Sequence, residues 1–283
     1  MNEILLSVLL GVVEGVTEFL PVSSTAHLRI VQSLLNVSLT DEFWKFFAVF
    51  IQLGAILAVM VHYRKRLADF TADALKFSTQ PAKLLRHPAG LILIAFVCTA
   101  IPAFLLKKII GQNLESLTVM AGALLVGGVI MMLVDFVFKK GRVESVEAMK
   151  PWQAVFIGLV QILSAVFPGT SRSMSTIAAG QVAGLTRNTA LEFSFLVSIP
   201  IMIVATLYDL YKYVKEYGGA MGFTGVQLVD LAVGFAVSFI VAYVVVGWFL
   251  RYVRKHGFFW FGVYRIALGL YLLYTLQSVS TLG

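Results

Sequence analysis

The chain has 283 residues, of which 59% are hydrophobic and only 13% are charged. Its apolar runs are long and continuous, which is typical of a polytopic α-helical membrane protein and excludes the short alternating segments of a membrane β-barrel. The single cysteine, Cys98, excludes a disulfide framework and a cysteine-based metal site. The net charge of +7 arises in loops between apolar segments, so it indicates anionic lipid rather than nucleic acid as a partner.

The first apolar segment, residues 4–20, contains two glutamates, Glu14 and Glu18. A spacing of four residues places both carboxylates on one face of a helix. Gly11 and Gly15 lie on another face, which can approach a second helix closely. Ionisable groups in a membrane segment are energetically costly and for that reason usually functional. The two glutamates are therefore candidate site residues.

Pro21 breaks this helix, because proline lacks a backbone donor. Ser23 or Ser24 can cap a second helix, which ends at about Leu35 and spans roughly 18 Å, too little for a membrane core of about 30 Å. Residues 1–36 are therefore predicted to form a re-entrant hairpin with its tip at the proline and the two serines. His27 lies one turn beyond the serines. A purely structural role for this cluster, with serine caps and a satisfied histidine, stays open.

Six full membrane spans are predicted in the rest of the chain, three before and three after a second irregular segment at residues 152–186. The predicted spans are residues 43–63, 90–106, 117–138, 189–209, 227–250 and 259–279. Loop 64–89 is long enough to hold a short amphipathic surface helix.

The two halves of the chain align without gaps at a shift of 147 residues. The residues that coincide are Gly11 with Gly158, Pro21 with Pro168, Ser24 with Ser171, and Phe46 with Phe193. The prediction is one integral membrane domain of two repeats, about residues 1–140 and 150–283, each a re-entrant helical hairpin plus three spans. Because three is odd, the second repeat would be inverted, and inverted repeats place broken helices and a binding site near the membrane midplane.

Basic residues concentrate in loops 64–89, 139–151 and 251–256, which all fall on one side in this topology. The positive-inside rule makes that side cytoplasmic, so both termini are predicted to lie outside. The first hairpin then enters from outside and the second from the cytoplasm. Their proline-containing tips can meet within the protein.

Arg172 is the only arginine of segment 152–186, and it stands between Ser171 and Ser173 after a Pro–Gly turn. A helix that starts there would favour an anion at its N-terminus, and a guanidinium beside two hydroxyls suits a phosphate. The alternative is an arginine that only neutralises one of the buried glutamates. Arg265, inside the last span, is a second candidate unless it extends to a membrane surface.

Three further acidic residues are interpreted as structural. Glu192 is expected to pair with Arg187 at the entrance of a span. Asp135 and Asp230, near the ends of their predicted spans, are interpreted as ordinary surface charges.

Two motifs in these segments resemble a known family. EGVTEFLPVSSTAH at residues 14–27 and PGTSRS at 168–173, with weaker matches at EFSFL (192–196) and Tyr264–Arg265, resemble the undecaprenyl-diphosphate phosphatases, also called the BacA/UppP bacitracin-resistance family. The resemblance covers essentially the whole chain. The family usually continues the Ser-Arg-Ser motif with glycine, whereas this chain has Met174.

The resemblance implies an enzyme of the bacterial inner membrane, a phosphoric anhydride hydrolase that removes one phosphate from a C55 polyprenyl diphosphate. The product is the carrier lipid monophosphate that is reused in cell-wall synthesis. A site facing the periplasmic or extracellular side and a divalent cation, Mg²⁺ or Ca²⁺, are also implied. A homodimer is an option that the sequence leaves open.

The resemblance also suggests a role for each candidate residue. Glu14 and Glu18 would bind the cation, and Arg172 would hold the diphosphate. Ser24 is the candidate nucleophile with His27 as its base, although attack by His27 itself or by water on the metal uses the same residues. The further substrate-binding candidates are Ser23, Thr25, Ser171, Ser173 and Arg265.

Two other functions fit the sequence. Inverted repeats with broken midplane helices are also the architecture of transporters, so a polyprenyl-phosphate transporter or flippase with a midplane anion site is the main alternative. A structural membrane subunit with a buried ion-pair network is the other.

Overall fold

A computed structural model describes residues 2–38, 41–77, 79–114, 116–217 and 223–282, and the described chain is built from helices. These are α1 (Glu3–Thr17), α2 (Ser24–Leu34), α3 (Glu42–His62), α4 (Arg64–Lys76), α5 (Pro81–Leu84), α6 (Pro88–Leu105), α7 (Lys107–Asn113), α8 (Leu117–Val137), a 3₁₀ turn (Val146–Ala148), α9 (Pro151–Val166), α10 (Arg172–Val182), α11 (Arg187–Tyr217), α12 (Gly225–His256) and α13 (Phe259–Leu282).

Six of the described helices, α3, α6, α8, α11, α12 and α13, are long and apolar enough to cross a membrane. They coincide with the six predicted spans, and the all-helical polytopic class is confirmed. The predicted surface helix in loop 64–89 is also present as α4. Helices α11 and α12 have 31 and 32 residues, longer than predicted, so they reach roughly 48 Å and extend past a core of about 30 Å.

The chain divides into two compact units that alternate along the sequence. Unit 1 comprises Met1–Phe19, His27–Tyr63 and Ser198–Trp248, and unit 2 comprises Leu20–Ala26, Arg64–Val197 and Phe249–Gly283. The division into two repeats, and the inverted relation between them, stay predictions.

In unit 1, two glycines of α1 let this helix approach α12 at backbone contact distance. A Cβ added to Gly11 would lie 2.8 Å from the carbonyl oxygen of Gly234, and one added to Gly15 would lie 2.8 Å from that of Ser238. The contacts advance in the same direction along both helices, so α1 and α12 run parallel. The close helix contact predicted for these glycines is therefore confirmed.

The first hairpin folds back within unit 1. Leu6 at the start of α1 belongs to one apolar cluster with Phe43 at the start of α3, and both are buried. Val31 near the end of α2 and Leu35 just after it pack against the same cluster. The chain has therefore returned to the end at which it began, as the short length of α2 predicted.

The second hairpin, α9 and α10, is closed at its base in unit 2. The N–H groups of Arg142 and Val143 donate to the carbonyl of Gly184 at 2.8 and 3.1 Å, and Thr186 N–H donates to the carbonyl of Val143 at 3.0 Å. The residues that precede α9 thus pair with the residues that follow α10. This segment also returns to the place where it started.

The interpretation of Asp135 as a surface charge is wrong. Its side chain is only 4% exposed. Asp135 Oδ1 accepts a hydrogen bond from Arg187 Nε at 2.6 Å, and Asp135 Oδ2 accepts one from the backbone N–H of Phe258 at 3.1 Å. The carboxylate therefore joins the end of α8 to the starts of α11 and α13.

Glu192 has a different partner from the predicted one, because Arg187 is already paired. Arg66 Nε donates to Glu192 Oε1 at 2.9 Å, and the same guanidinium bonds the carboxylate of Glu147. Burial opposes the charge of Glu147, but its hydrogen bonds outweigh this effect and lower its pKa below the usual value. The surface-charge interpretation of Asp230 is also wrong, since this residue is 0% exposed.

Candidate active site

The tip of the first hairpin is formed by Ser23, whose backbone has a φ of +74°. This left-handed conformation is unusual for a residue with a side chain and costs about 1–3 kcal/mol. It lets Ser23 Oγ accept a hydrogen bond from the Ala26 N–H at 3.3 Å, so Ser23 caps α2. Ser24 becomes the first residue of the helix, and both serines are buried. Strained backbone of this kind concentrates at functional sites.

The tip of the second hairpin repeats this arrangement. Ser171 has a φ of +72°, and its Oγ accepts a hydrogen bond from the Met174 N–H at 3.3 Å. Gly169 precedes it with a φ of +98°, and a Cβ there would lie 2.6 Å from the carbonyl oxygen of Met120. Arg172 becomes the first residue of α10. Met174 lies within α10 and donates the N–H of the capping bond, so its side chain does not disturb the cap.

The two tips correspond at a shift of 148 residues. Ser23 matches Ser171 in conformation and capping, the helices after them start at Ser24 and Arg172, and the helices before them start at Glu3 and Pro151. The gapless alignment at 147 residues is therefore wrong by one residue at the tips. Ser24, the candidate nucleophile, occupies the position that Arg172 occupies in the second hairpin.

Unit 2 brings the two tips together, as predicted. Ser173 Oγ donates to the carbonyl of Leu20 at 3.0 Å. Arg265 Nη1 donates to the carbonyl of Pro21 at 3.1 Å, and Arg265 Nη2 donates to that of Gly169 at 3.0 Å. One side chain on α13 therefore holds the proline turn of the first hairpin and the glycine turn of the second.

Arg265 is fully buried and does not extend to a membrane surface. Its Nη2 also donates to the carbonyl of Ala123 at 3.0 Å. Gly127 on α8 makes room for the guanidinium, because a Cβ at that position would overlap Nη2. These bonds all go to backbone carbonyls, so Arg265 positions the tips; its predicted contact with substrate stays a prediction.

Arg172 lies at the N-terminus of α10 with two serine hydroxyls beside it. Ser171 Oγ and Ser173 Oγ are 3.0 Å apart, and both side chains are buried, whereas Arg172 is partly exposed. The first N–H groups of a helix and its dipole favour an anion. An arginine, two hydroxyls and the first backbone donors of a helix thus occur together in the second tip, which is the set of groups expected for a phosphate site.

Glu14, Glu18 and His27 belong to unit 1. Glu14 is 0% and Glu18 8% exposed, and the N–H of Glu18 donates to the carbonyl of Glu14 at 2.9 Å. The helical turn therefore continues to Glu18 and keeps the two glutamates one turn apart. His27 follows Ser24 by three residues in α2, and both His27 and Thr25 are partly exposed. The predicted contact of the glutamates with Arg172 stays a prediction.

Two buried carboxylates one turn apart are hard oxygen donors that suit Mg²⁺ or Ca²⁺. The described residues contain no group of three or more histidine, cysteine, aspartate or glutamate side chains that could hold a metal ion. The pair therefore fits a cation that completes its coordination with water and phosphate oxygens, as Mg²⁺ does.

An apolar cavity of about 520 Å³ lies in unit 2 next to the second tip. Helices α8, α9 and α10 supply its walls, and Thr170 and Ser175 provide polar groups beside Arg172. The lining residues are Val119, Gly122, Ala123, Val126, Gly127, Ile130, Val160, Leu163, Phe167, Thr170, Met174, Ser175 and Ala178. No pattern within one segment of the sequence predicts this cavity, because its walls come from three helices that are separate along the chain.

Comparison with known proteins identifies the family. The profile described as "Bacitracin resistance protein BacA" matches residues 7–271. The undecaprenyl-diphosphatase of Koribacter versatilis is 55% identical over 280 residues, covering 96% of this chain and 98% of the relative. Those of Methylobacillus flagellatus and Wolinella succinogenes are 41% and 40% identical, covering 94% and 96% of this chain and 95% and 98% of the relatives. The joined tips thus lie within a match of nearly full length, and the chain belongs to the BacA family.

Proposed function

We propose that the chain is an undecaprenyl-diphosphatase, which hydrolyses undecaprenyl diphosphate to undecaprenyl phosphate and inorganic phosphate. This reaction recycles the carrier lipid for cell-wall synthesis. The observation that carries the proposal is the pair of capped hairpin tips, which gathers Arg172 and serine hydroxyls at a helix N-terminus within a chain of this family. The printed names of the three relatives described above support the same activity.

The diphosphate would be held mainly by the second tip. Arg172 offers a planar fork of N–H donors that matches phosphate oxygens, and Ser171 and Ser173 add hydroxyls. Ser23 and Thr25 contribute from the first tip. The apolar cavity beside Thr170 would take the first isoprene units, and the remainder of the C55 chain would lie in the lipid.

Catalysis is assigned to Ser24 and His27. Ser24 Oγ attacks the terminal phosphorus while its proton passes to His27, and the bond from phosphorus to the bridging oxygen breaks, which releases undecaprenyl phosphate. His27 passes this proton to the departing undecaprenyl phosphate and is neutral again. Water then attacks the seryl phosphate and loses a proton to His27, which returns it to Ser24 Oγ as the seryl phosphorus–oxygen bond breaks and inorganic phosphate leaves. Direct attack by His27 or by water remains the alternative route.

Glu14 and Glu18 would hold a divalent cation, Mg²⁺ or Ca²⁺. When bound, such a cation neutralises charge on the diphosphate and polarises its phosphorus–oxygen bonds. Without it, two buried carboxylates and the substrate would repel each other. Cation binding is therefore the expected reason for two acids in a membrane segment.

The experiment that tests the activity is phosphate release from C55 diphosphate by the purified protein in detergent, with and without a chelator. Wild-type protein should release inorganic phosphate, and the chelator should suppress release until Mg²⁺ or Ca²⁺ is restored. The Arg172→Ala variant is the control for a contaminating phosphatase. Equal release by wild type and this variant would refute the proposal. Since the named relatives are diphosphatases, we do not favour the flippase alternative.

We infer that the protein lies in the bacterial inner membrane, with its site open to the periplasmic or extracellular side. Its surrounding partners are membrane lipids; no nucleic acid is expected, and a homodimer is compatible with this placement. With Cys98 replaced by alanine, a cysteine at Glu144 should react only with reagents that enter the cytoplasm, and one at Glu216 should react from outside. Both positions are exposed, so labelling of the two from the same side would refute the inverted topology.

A further inference from the structure

Asp230 is a buried acid that the proposed catalysis does not use. It lies in the second turn of the membrane-spanning helix α12, and its side chain is 0% exposed. Neither carboxylate oxygen has a hydrogen-bond partner among the described residues. Buried charges in proteins are normally paired or bound to a metal ion, and acids in membrane helices mark ion sites.

The packing of α1 against α12 places Asp230 and Ser7 in one interface. Gly11 lies against the carbonyl of Gly234 and the side chain of Val237, and the two helices run parallel. Asp230 stands two turns before Val237 on the same face of α12, and Ser7 stands one turn before Gly11 on α1. The carboxylate of Asp230 and the hydroxyl of Ser7 are therefore expected within about one turn of each other in this interface.

Ser7, like Asp230, is a buried polar residue whose side chain has no hydrogen-bond partner among the described residues. It is 0% exposed, and its Oγ has no hydrogen-bond partner in the described part of the chain. A hydroxyl can bond the backbone of its own helix, so a buried hydroxyl without any partner is uncommon. Two neighbouring helices thus each direct an uncompensated oxygen into one apolar interface.

No cationic side chain in the described part of unit 1 forms a hydrogen bond with this acid, because neither carboxylate oxygen has a partner there. Arg29, the one buried arginine or lysine of unit 1 among the described residues, donates from Nη1 to Gln32 Oε1 at 3.4 Å. Leu6 and Leu231, the sequence neighbours of Ser7 and Asp230, belong to an apolar cluster. Within the described residues, the charge of Asp230 therefore has no hydrogen-bonded cationic partner.

We propose that Asp230 and Ser7 form a binding site for a single monovalent cation, for which Na⁺ is the probe. One positive charge balances one carboxylate, whereas a divalent cation would leave a net charge in apolar surroundings. Carboxylate and hydroxyl oxygens are ligands for a hard cation. The site is separate from the Glu14–Glu18 pair and is independent of the proposed hydrolysis.

The test is thermal unfolding of the full chain in detergent, with NaCl replaced stepwise by choline chloride at constant ionic strength and pH. A ligand that binds only the folded protein raises its melting temperature, by roughly 5 °C at a hundredfold excess over its dissociation constant. We expect this Na⁺ shift in the wild type. Asp230→Asn should abolish it and should melt in choline at or above the wild-type temperature, because the uncompensated charge is gone.

A second pair of variants separates ligand loss from misfolding. Ser7→Ala should raise the Na⁺ concentration at half-maximal shift by at least about fivefold. Ser238→Ala is its matched control, since Ser238 is equally buried, has an Oγ without a partner in the described chain, and stands two turns beyond Asp230. It should keep the wild-type midpoint.

Three outcomes would overturn the site: a wild-type melting temperature that does not depend on Na⁺, an unchanged Na⁺ shift in Asp230→Asn, or a melting temperature that follows pH but not Na⁺. The last would mean that a proton occupies the position. Because unfolding is measured without substrate, failure here leaves the proposed phosphatase activity untouched.

Discussion

Gly127 offers a way to disturb the joined tips without touching any candidate catalytic residue. In Gly127→Ala the new methyl group would overlap Arg265 Nη2, which donates to the carbonyls of Gly169 and Ala123. The guanidinium must move, and the second tip loses one of its two ties to the rest of unit 2 described above. Gly122 on the same helix is the matched control, because a Cβ there meets nothing within 4 Å.

The expected magnitude follows from the two hydrogen bonds. Each bond from a charged donor contributes about 1.5–3 kcal/mol, so their loss costs about 3–6 kcal/mol. Alanine stabilises a helix by about 1 kcal/mol relative to glycine, which offsets part of this loss. The net destabilisation of Gly127→Ala is about 2–5 kcal/mol, and the melting temperature should fall by roughly 5–15 °C. Gly122→Ala should be neutral or slightly stabilising.

The same pair of variants should differ in activity. Arg172 stands three residues after Gly169, and a displacement of about 1 Å at a catalytic site can lower the rate on the order of a hundredfold. Phosphate release from C55 diphosphate should therefore fall at least tenfold in Gly127→Ala at a temperature where the variant is folded. If both variants match the wild type in melting temperature and rate, the bonds of Arg265 do not position the tips.

Three further predictions concern the candidate residues themselves. Arg172→Lys should lose most activity although the charge is kept, because lysine cannot form the bidentate fork, and a near wild-type rate would contradict its role as a phosphate clamp. Glu14→Gln and Glu18→Gln should each shift the Mg²⁺ titration of phosphate release to higher concentration, because an amide oxygen can coordinate the cation but carries no negative charge to attract it. Titration curves that are unchanged in both variants would contradict the assignment of these residues as metal ligands. Ser24→Ala and His27→Ala should each lose nearly all activity with little further loss in the double variant, because the two act as one unit. Rapid quenching with lipid labelled at the terminal phosphate distinguishes the routes: acid-stable label on Ser24 supports attack by serine, and acid-labile label on His27 refutes it.

The sequence predicts most reliably those helices whose length alone decides whether they can cross the membrane. Six apolar runs of sufficient length could only be spans, and α2 was too short to be one. The meeting of the tips followed from the same lengths, because both broken segments must end within the protein. Physical limits on backbone exposure in a membrane therefore determined most of the fold.

The wrong predictions concern residues whose burial or partner depends on the direction in which the side chain points. Asp230 and Asp135 were placed near the ends of apolar runs, but helices in such runs are apolar on all faces, so their periodicity does not reveal which face is buried. Glu192 pairs with Arg66, which is 126 residues away, rather than with an arginine nearby in sequence. The register of the tips depended on the left-handed conformation of Ser23 and Ser171, which residue type does not predict.

The bond between Arg265 and the carbonyl of Pro21 has a consequence for biosynthesis, because 244 residues separate the two. At about 5–20 residues per second, a ribosome adds Arg265 roughly 10–50 s after Pro21. Throughout that interval the first hairpin is already made, but its turn lacks the donor that fixes it. A chain that is interrupted before α13 retains only the Ser173–Leu20 bond between the tips, so we expect full competence for the reaction only when the last transmembrane helix has been inserted.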